Sequence, residues 1–246
     1  MIGTHNIVWF EEIDSTNTKL MNDRHTLENL TVYAAYFQRA GRGQRGNRWE
    51  SKRGENLTFS ILFKPDNIAA NEQFIISKAV ALGVTDYMIQ HGVECRIKWP
   101  NDIYYKDLKI CGILIENGIA CDKLTYSIAG IGININQEIF DSNAPNPTSL
   151  KLLTRKEYDI RQELTDVVSY ISERYKQAIS QKGGKLEKDY LDLLYRKGEY
   201  HRYSDNATGE SFEARIIGLD NQGLLKVETV EGEIRAYAFK EIGYVI

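Results

Sequence analysis

Cysteine is scarce and odd in number: Cys95, Cys111 and Cys121 are the three in 246 residues. A disulfide framework is excluded, and the spacing lacks the pairs that metal sites use. All three are expected to be reduced, buried thiols, in or beside apolar strand-like runs of a cytoplasmic protein. Long apolar runs are missing too. No segment reaches eighteen apolar residues, and the N-terminus has no basic flank leading into an apolar stretch, so neither a helical membrane span nor a secretory signal is expected. The third absence is an excess of charge. With 31 Lys and Arg against 34 Asp and Glu the net charge is −3, and no nucleic-acid surface is expected. A chain of this length buries about 70 to 75% of its unfolded surface, enough for one substantial core and a small satellite domain.

What is present is concentrated. Residues 38–49 read Gln38-Arg39-Ala40-Gly41-Arg42-Gly43-Gln44-Arg45-Gly46-Asn47-Arg48-Trp49, with four arginines and three glycines in twelve positions. Glycine lets backbone amides turn toward a ligand and approach it, and the arginine fork grips phosphate or carboxylate oxygens in pairs. A solvated basic loop has the same composition. The terminal Trp and a second polar signature sixty residues on favour an anion clamp, mobile when empty and ordered when filled.

That second signature is Lys98-Trp99-Pro100-Asn101-Asp102-Ile103, followed by Lys109-Ile110-Cys111-Gly112-Ile113-Leu114-Ile115-Glu116. Together with Ser15-Thr16-Asn17, these segments resemble the catalytic domain of biotin protein ligases: Gly-Arg-Gly repeats ending in Trp, then Lys-Trp-Pro-Asn-Asp, then Lys-x-x-Gly-Ile-Leu. The resemblance covers residues 8 to 246. About fourteen residues precede the first motif, too few for the DNA-binding winged helix of some biotin ligases. The expected type is therefore monofunctional, with no repressor role.

Read in order, Ile7-Val8-Trp9-Phe10 is a short strand, and Asp14-Ser15-Thr16-Asn17 caps a helix over Thr18 to Asp23. Thr31 to Phe37 is a strand delivering Gln38 and the arginine loop. Asn56 to Lys64 alternates as a half-buried strand. Asn71 caps a long amphipathic helix that Gly92 stops; its Met88 and His91 have no chemical company. Glu94 to Trp99 is a strand ending at a corner whose exposed tip is Asn101-Asp102, and Asp107-Leu108 is a hairpin turn before the strand Lys109 to Asn117. Tyr126 to Gly132 is another strand; 161 to 180 and Leu186 to Tyr195 are covering helices. After Gly198 come four short strands, Phe212 to Leu219, Leu224 to Glu228, Glu233 to Phe239 and Ile242 to Ile246. The fold class is α+β: a mixed sheet covered by helices over 1–197, resembling the class II synthetase-like biotin/lipoate ligase type, and an SH3-like β-barrel over 198–246. The latter serves either as a partner dock or as a lid support.

The resemblance implies two half-reactions. Biotin carboxylate attacks the α-phosphate of ATP to give biotinyl-5'-AMP and pyrophosphate, and a lysine of a biotin carboxyl carrier protein then takes the biotin. It places Lys109, Arg42 and Asp102 in catalysis, with Asp102 orienting the incoming ammonium. Ser15, Thr16, Asn17, Gln38, Gly41, Arg42, Gly43, Lys109, Gly112 and Ile113 contact biotin, with Gly132 a weaker candidate. Arg42, Gln44, Arg45, Trp49, Asn101, Lys109 and Asn134 contact the nucleotide, whose phosphates carry Mg²⁺. Ser15-Thr16-Asn17 also reads as a plain N-cap, Asn101-Asp102 as a self-stabilising turn, and Trp49 as either core or a pocket wall. Gln44 and Asn47 stand where the family often has basic residues. No nucleic acid or membrane partner is implied, and a homodimer is compatible. Alternatives are a lipoate or octanoate ligase or transferase of the same fold, and a non-catalytic biotin-binding module.

Overall fold

In the computed structural model, which describes residues 6–43, 48–141, 146–180, 184–220 and 222–245, the chain forms two sheets and five helices. The first sheet has seven strands: β1 Ile7–Phe10, β2 Val32–Ala35, β3 Leu57–Phe63, β4 Arg96–Lys98, β5 Asp102–Tyr105, β6 Leu108–Ala120 and β7 Lys123–Ile133. Their order is β1-β2-β3-β7-β6-β5-β4. Only β1 and β2 run parallel, so the sheet is mixed, as expected. Beyond β4, Ile97 exchanges backbone hydrogen bonds with Leu193 and Tyr195, which cover that edge.

Helix α1, Thr16–Asp23, lies on one face of the sheet. On the other lie α2, Phe74–Gln90, and α4, Ile160–Ser180, with α5, Gly184–Asp192, against α2. Helix α2 departs from the amphipathic expectation. Ile76 and the run Ala79 to Thr85 are all buried, because the helix is covered by the sheet on one side and α4 on the other. A Cβ at Gly83 would stand 2.5 Å from the Ile171 Cα, so this glycine sets how closely α2 and α4 cross. Asn71 does not cap α2. It lies in the 3₁₀ turn Ala70–Glu72, and Gln73 precedes the helix without a side-chain cap. The expected stop at Gly92 is there, at φ +74°. His91 does have company: its Nε2 is 3.0 Å from Glu163, whose carboxylate also accepts from the Tyr87 hydroxyl at 2.6 Å.

Strand β3 is buried along its whole length rather than half-buried, since α1 and the helix layer cover both faces. The turn before β6 falls at residues 106–107, with Lys106 at φ +52°. Two of the cysteines are as expected: burial pushes the Cys95 thiol up to about 12 and raises that of Cys111. Cys121 is exposed, in the β6–β7 turn at φ +50°, where no neighbouring layer reaches.

The second sheet is β8 Tyr200–Asp205, β9 Ser211–Leu219, β10 Leu225–Thr229, β11 Ile234–Tyr237 and β12 Ile242–Tyr244, antiparallel in the order β11-β10-β9-β8-β12. It is the small SH3-like unit of the sequence reading, with β8 added. Its end strands β11 and β12 do not pair with each other among the described residues, so the expected barrel is a sheet with two ends. The short helix α3, Leu150–Thr154, was also unforeseen; Ser149 caps it by accepting from the Leu152 amide. The β4–β5 corner is anchored to the second sheet by the Trp99 indole N–H, which donates to the Gly223 carbonyl at 3.0 Å.

Candidate active site

Neighbours across a ladder point to the same face of a sheet. The register therefore lines up Lys98, Asp102, Gly112, Gly132 and Thr58 in one row across five strands, β4 to β3. The next row on that face is Leu114, Gly130 and Ser60. Three of these eight positions carry no side chain, and the gap they leave is the floor of a cavity of about 690 Å³. Two groups lie on the floor in this structure. The Trp49 ring covers Gly112 and Gly132, its Cζ3 2.9 Å from where a Gly112 Cβ would be, and the Asn17 amide covers Gly130.

At the α1 end the lining is polar and mostly uncharged. Gln38 is brought to α1 because residues 38–40 run alongside 13–14, with Arg39 N–H donating to Ile13 O and Ala40 N–H to Asp14 O, each at 2.9 Å. Ser15 is the N-cap of α1 and accepts from Thr18 N–H, as the capping reading expects. The Thr16 amide donates to Gln38 Oε1 at 2.8 Å, and the Thr16 and Ser60 hydroxyls are 2.7 Å apart. Ser60 donates to Asn17 Oδ1, a pure acceptor, so the one proton of the Thr16 hydroxyl, which also lies 3.2 Å from Gln38 Oε1, is shared between Ser60 and Gln38. Asn17 Nδ2 then donates to Glu116 Oε2 at 2.9 Å, and Arg42 Nη2 donates to the same oxygen at 2.9 Å. Gln38, Thr16, Ser60, Asn17, Glu116 and Arg42 are thus joined in one continuous hydrogen-bond network. Its last link is a partly exposed ion pair worth about 0 to 1 kcal/mol, so a ligand carboxylate can take Arg42 from Glu116 at little cost.

At the other end the lining is charged. Lys109 Nζ is 2.8 Å from Asp102 Oδ1 and 5.9 Å from the centroid of Trp49. Asp102 is not the exposed turn tip of the sequence reading; it opens β5 and its side chain is 22% exposed, because β6 and Lys109 lie against it. Asn101 donates to the Ile113 carbonyl and accepts from its amide, backbone to backbone in the second case, so its carboxamide holds the corner onto β6. Asn134 donates to Thr148 O at 2.9 Å and fixes the segment beside Lys109.

Most of the residues singled out from sequence meet in this cavity. Ser15, Thr16, Asn17, Gln38, Arg42 and Gly43 line one side. Trp49, Asn101, Asp102, Lys109, Gly112, Ile113, Gly132 and Asn134 line the rest. Gly41 does not line it; its carbonyl accepts from Trp49 N–H at 3.2 Å and closes the base of the loop. Arg39 points away, into surface ion pairs with Asp14 and Glu12, because the 38–40 strip faces those acids. Gln44, Arg45 and Asn47 lie outside the described residues. Unforeseen were Ser60, Gly130, Glu116, Lys98 and the wall from the second sheet, which includes Lys240 and Tyr244. One signal was available: Gly130-Ile131-Gly132 in a strand leaves two bare positions on one face.

The sequence profile of the biotin/lipoate A/B protein ligase family matches residues 9–134. The bifunctional ligase/repressor BirA of Bacillus subtilis is 28% identical over 97% of this chain and 74% of its own length. The human biotin–protein ligase is 28% identical over 93% of this chain and 33% of its own length. Among solved structures, the Aquifex aeolicus biotin protein ligase in complex with biotin and ATP superposes with a TM-score of 0.78 at 27% identity, over 97% of both chains. The profile match spans the three motifs, the glycine floor and both ends of the cavity, and by it the chain belongs to the biotin/lipoate A/B protein ligase family, a family of ligases.

Proposed function

We propose that the chain is an ATP-dependent biotin protein ligase that activates biotin as biotinyl-5'-AMP and transfers it to a specific lysine of a biotin carboxyl carrier protein. The observation that carries this reading is the uncharged hydrogen-bonding end of the cavity. A ureido ring offers donors and acceptors that can exchange with the bonds Thr16, Asn17 and Gln38 make among themselves and with Ser60 and Glu116, whereas a dithiolane or an alkyl chain offers none. A site built to hydrogen-bond its substrate discriminates against an analogue lacking those groups by as much as about 10⁴. The human relative and the Aquifex aeolicus structure, both named for biotin, support the same choice over lipoate or octanoate.

In the first half-reaction a biotin carboxylate oxygen bonds to the α-phosphorus while the bond from that phosphorus to the bridging oxygen breaks, and pyrophosphate leaves with the electron pair. Two anions must be brought together, which is the task of Arg42 and Lys109. Lys109 turns from Asp102 to the phosphate, and Asp102 is released to receive the ammonium of the carrier lysine in the second half-reaction. Mg²⁺ rides on the nucleotide phosphates; among the described residues no group of three or more His, Cys, Asp or Glu forms a metal cage. Trp49 and Asn134 complete the nucleotide side. Arg45 and Gln44, which lie between Arg42 and Arg48 in sequence, are assigned there with them. We take 1–197 as the catalytic domain and 198–246 as the C-terminal domain. We place the reaction in the cytoplasm, and among the described residues no helix is long and apolar enough to cross a membrane. Strand β1 ends the first sheet and is the edge through which two copies would pair.

The test is one incubation of the protein with MgATP, a biotin carboxyl carrier domain and labelled biotin, with lipoate in parallel. Covalent label from biotin is expected. Transfer of lipoate instead would identify the lipoate ligase, and biotin binding without transfer the non-catalytic module.

A further inference from the structure

We propose that Lys98 is a second catalytic cation, whose ammonium binds the β- and γ-phosphate oxygens of the nucleotide and the pyrophosphate that leaves. The proposal rests on the biotin ligase reading for its reaction, and on the following geometry for its site. Lys98 ends the cross-strand row that floors the cavity, four strand spacings of about 4.8 Å from Thr58, or roughly 19 Å. An activated acid seated at the α1 end leaves this end for what lies beyond the α-phosphate. The two lysines of the row differ in their company. Lys109 is ion-paired with Asp102 at 2.8 Å, whereas among the described residues no carboxylate lies within 4.0 Å of the Lys98 ammonium. Lys98 Nζ instead donates to the Tyr104 hydroxyl at 3.1 Å and lies 4.6 Å and 5.0 Å from the ring centroids of Tyr104 and Tyr244.

Two ring faces hold a cation in place without neutralising it. Burial pushes the Lys98 pKa down, while the charge of Asp102 opposes that shift. An arriving phosphate would restore the missing counter-charge. Lys98 acts on the same bond changes as above: it stays an ammonium throughout, and its hydrogen bonds strengthen as the electron pair of the broken phosphorus–oxygen bond settles on pyrophosphate. No proton transfer is required. Lys240, on the wall from the second sheet, lines the same cavity and adds positive charge.

The opposing reading makes Lys98 a strut between the two sheets. Lys98→Met keeps the stem against the rings and removes the charge; Lys98→Arg keeps the charge. Binding of inorganic pyrophosphate and of MgATP to the full chain is measured by calorimetry, together with biotin binding, biotin-dependent pyrophosphate exchange, and transfer to the carrier domain from presynthesised biotinyl-adenylate. For Lys98→Met the proposal expects pyrophosphate and MgATP to bind about tenfold to a hundredfold more weakly. Exchange slows at least as much, biotin binding and transfer stay within about twofold, and Lys98→Arg recovers part of the loss. Unchanged pyrophosphate and MgATP binding in the folded Lys98→Met variant overturns it. So does an equal loss of all five measures, which would make Lys98 a strut. If the unaltered protein binds pyrophosphate through Lys98 but shows no biotin-dependent exchange, the phosphate site stands and the biotin reading falls.

Discussion

The two faces of the seven-stranded sheet are made by the same strands and do opposite things. Toward α2 and α4, strands β3, β6 and β7 present Leu57, Phe59, Ile61, Cys111, Ile113, Ile131 and Ile133, all buried. Toward α1 the alternate positions are Thr58, Ser60, Gly112, Gly130 and Gly132. With a period of two, a strand can be core on one side and binding floor on the other without any change of backbone. Binding space is therefore made by leaving side chains out on the side where the single helix α1 packs on β2, β3 and β7, opposite the face that α2 and α4 fill.

That contrast can be broken at several points. The largest effect is expected from Lys109→Ala, which removes a cation from the floor side and should slow biotin-dependent pyrophosphate exchange by about 10² to 10³ with the thermal midpoint nearly unchanged. Near-normal exchange by the folded variant would remove Lys109 from the chemistry. Next comes Gly132→Ala. Its new methyl overlaps the Trp49 ring, a side chain at the cavity rather than backbone, so the cost falls on ligand binding: biotin affinity should drop by about tenfold to a hundredfold while the melting curve stays close to the parent's. Ser60→Ala cuts the proton chain between Thr16 and Asn17 and should weaken biotin by about tenfold, with pyrophosphate affinity unaffected. Equal weakening of both ligands would point to a general loss of packing.

On the helix side the same kind of change has the reverse outcome. Gly83→Ala sets a methyl against the Ile171 backbone and should cost about 1 to 3 kcal/mol of stability, lowering the midpoint by roughly 2 to 4 °C per kcal/mol in a chain of this size. Biotin binding should be the least affected of the four. A thermal scan beside a biotin titration checks both halves.

The sequence made much of this legible because its motifs sit on strand ends and turns, where Gly, Pro and Asn have local meanings. Asn101, Asp102, Lys109, Gly112 and Ile113 are placed in one site by the resemblance, and the structure brings them into one cavity. What escaped depends on distant partners. Helix α2 looked amphipathic because nothing local announces that α4 covers its second face. Helix α3 has five residues, too few for periodicity to register. Strand β8, Tyr-His-Arg-Tyr-Ser-Asp, has no aliphatic residue and gains its place by pairing with β9 and β12 and by burying Tyr203 against Phe212 and Tyr244. Glu116 closed the motif string but took no role until the fold set it opposite Asn17 and Arg42. Cys121 was misjudged because an apolar run on either side of a hairpin says nothing about the turn between.

The indole N–H of Trp49 is buried and has no hydrogen-bond acceptor among the described residues. The other two tryptophans stand apart from that situation: Trp99 donates to Gly223 O, and Trp9 lies under Arg161 beside Tyr36. The protein thus carries its own optical gauge. Emission from Trp49 starts from a shielded indole N–H, and any occupant that offers it an oxygen or lifts it from the glycine floor will change its colour, so filling of the cavity can be followed by fluorescence without a label.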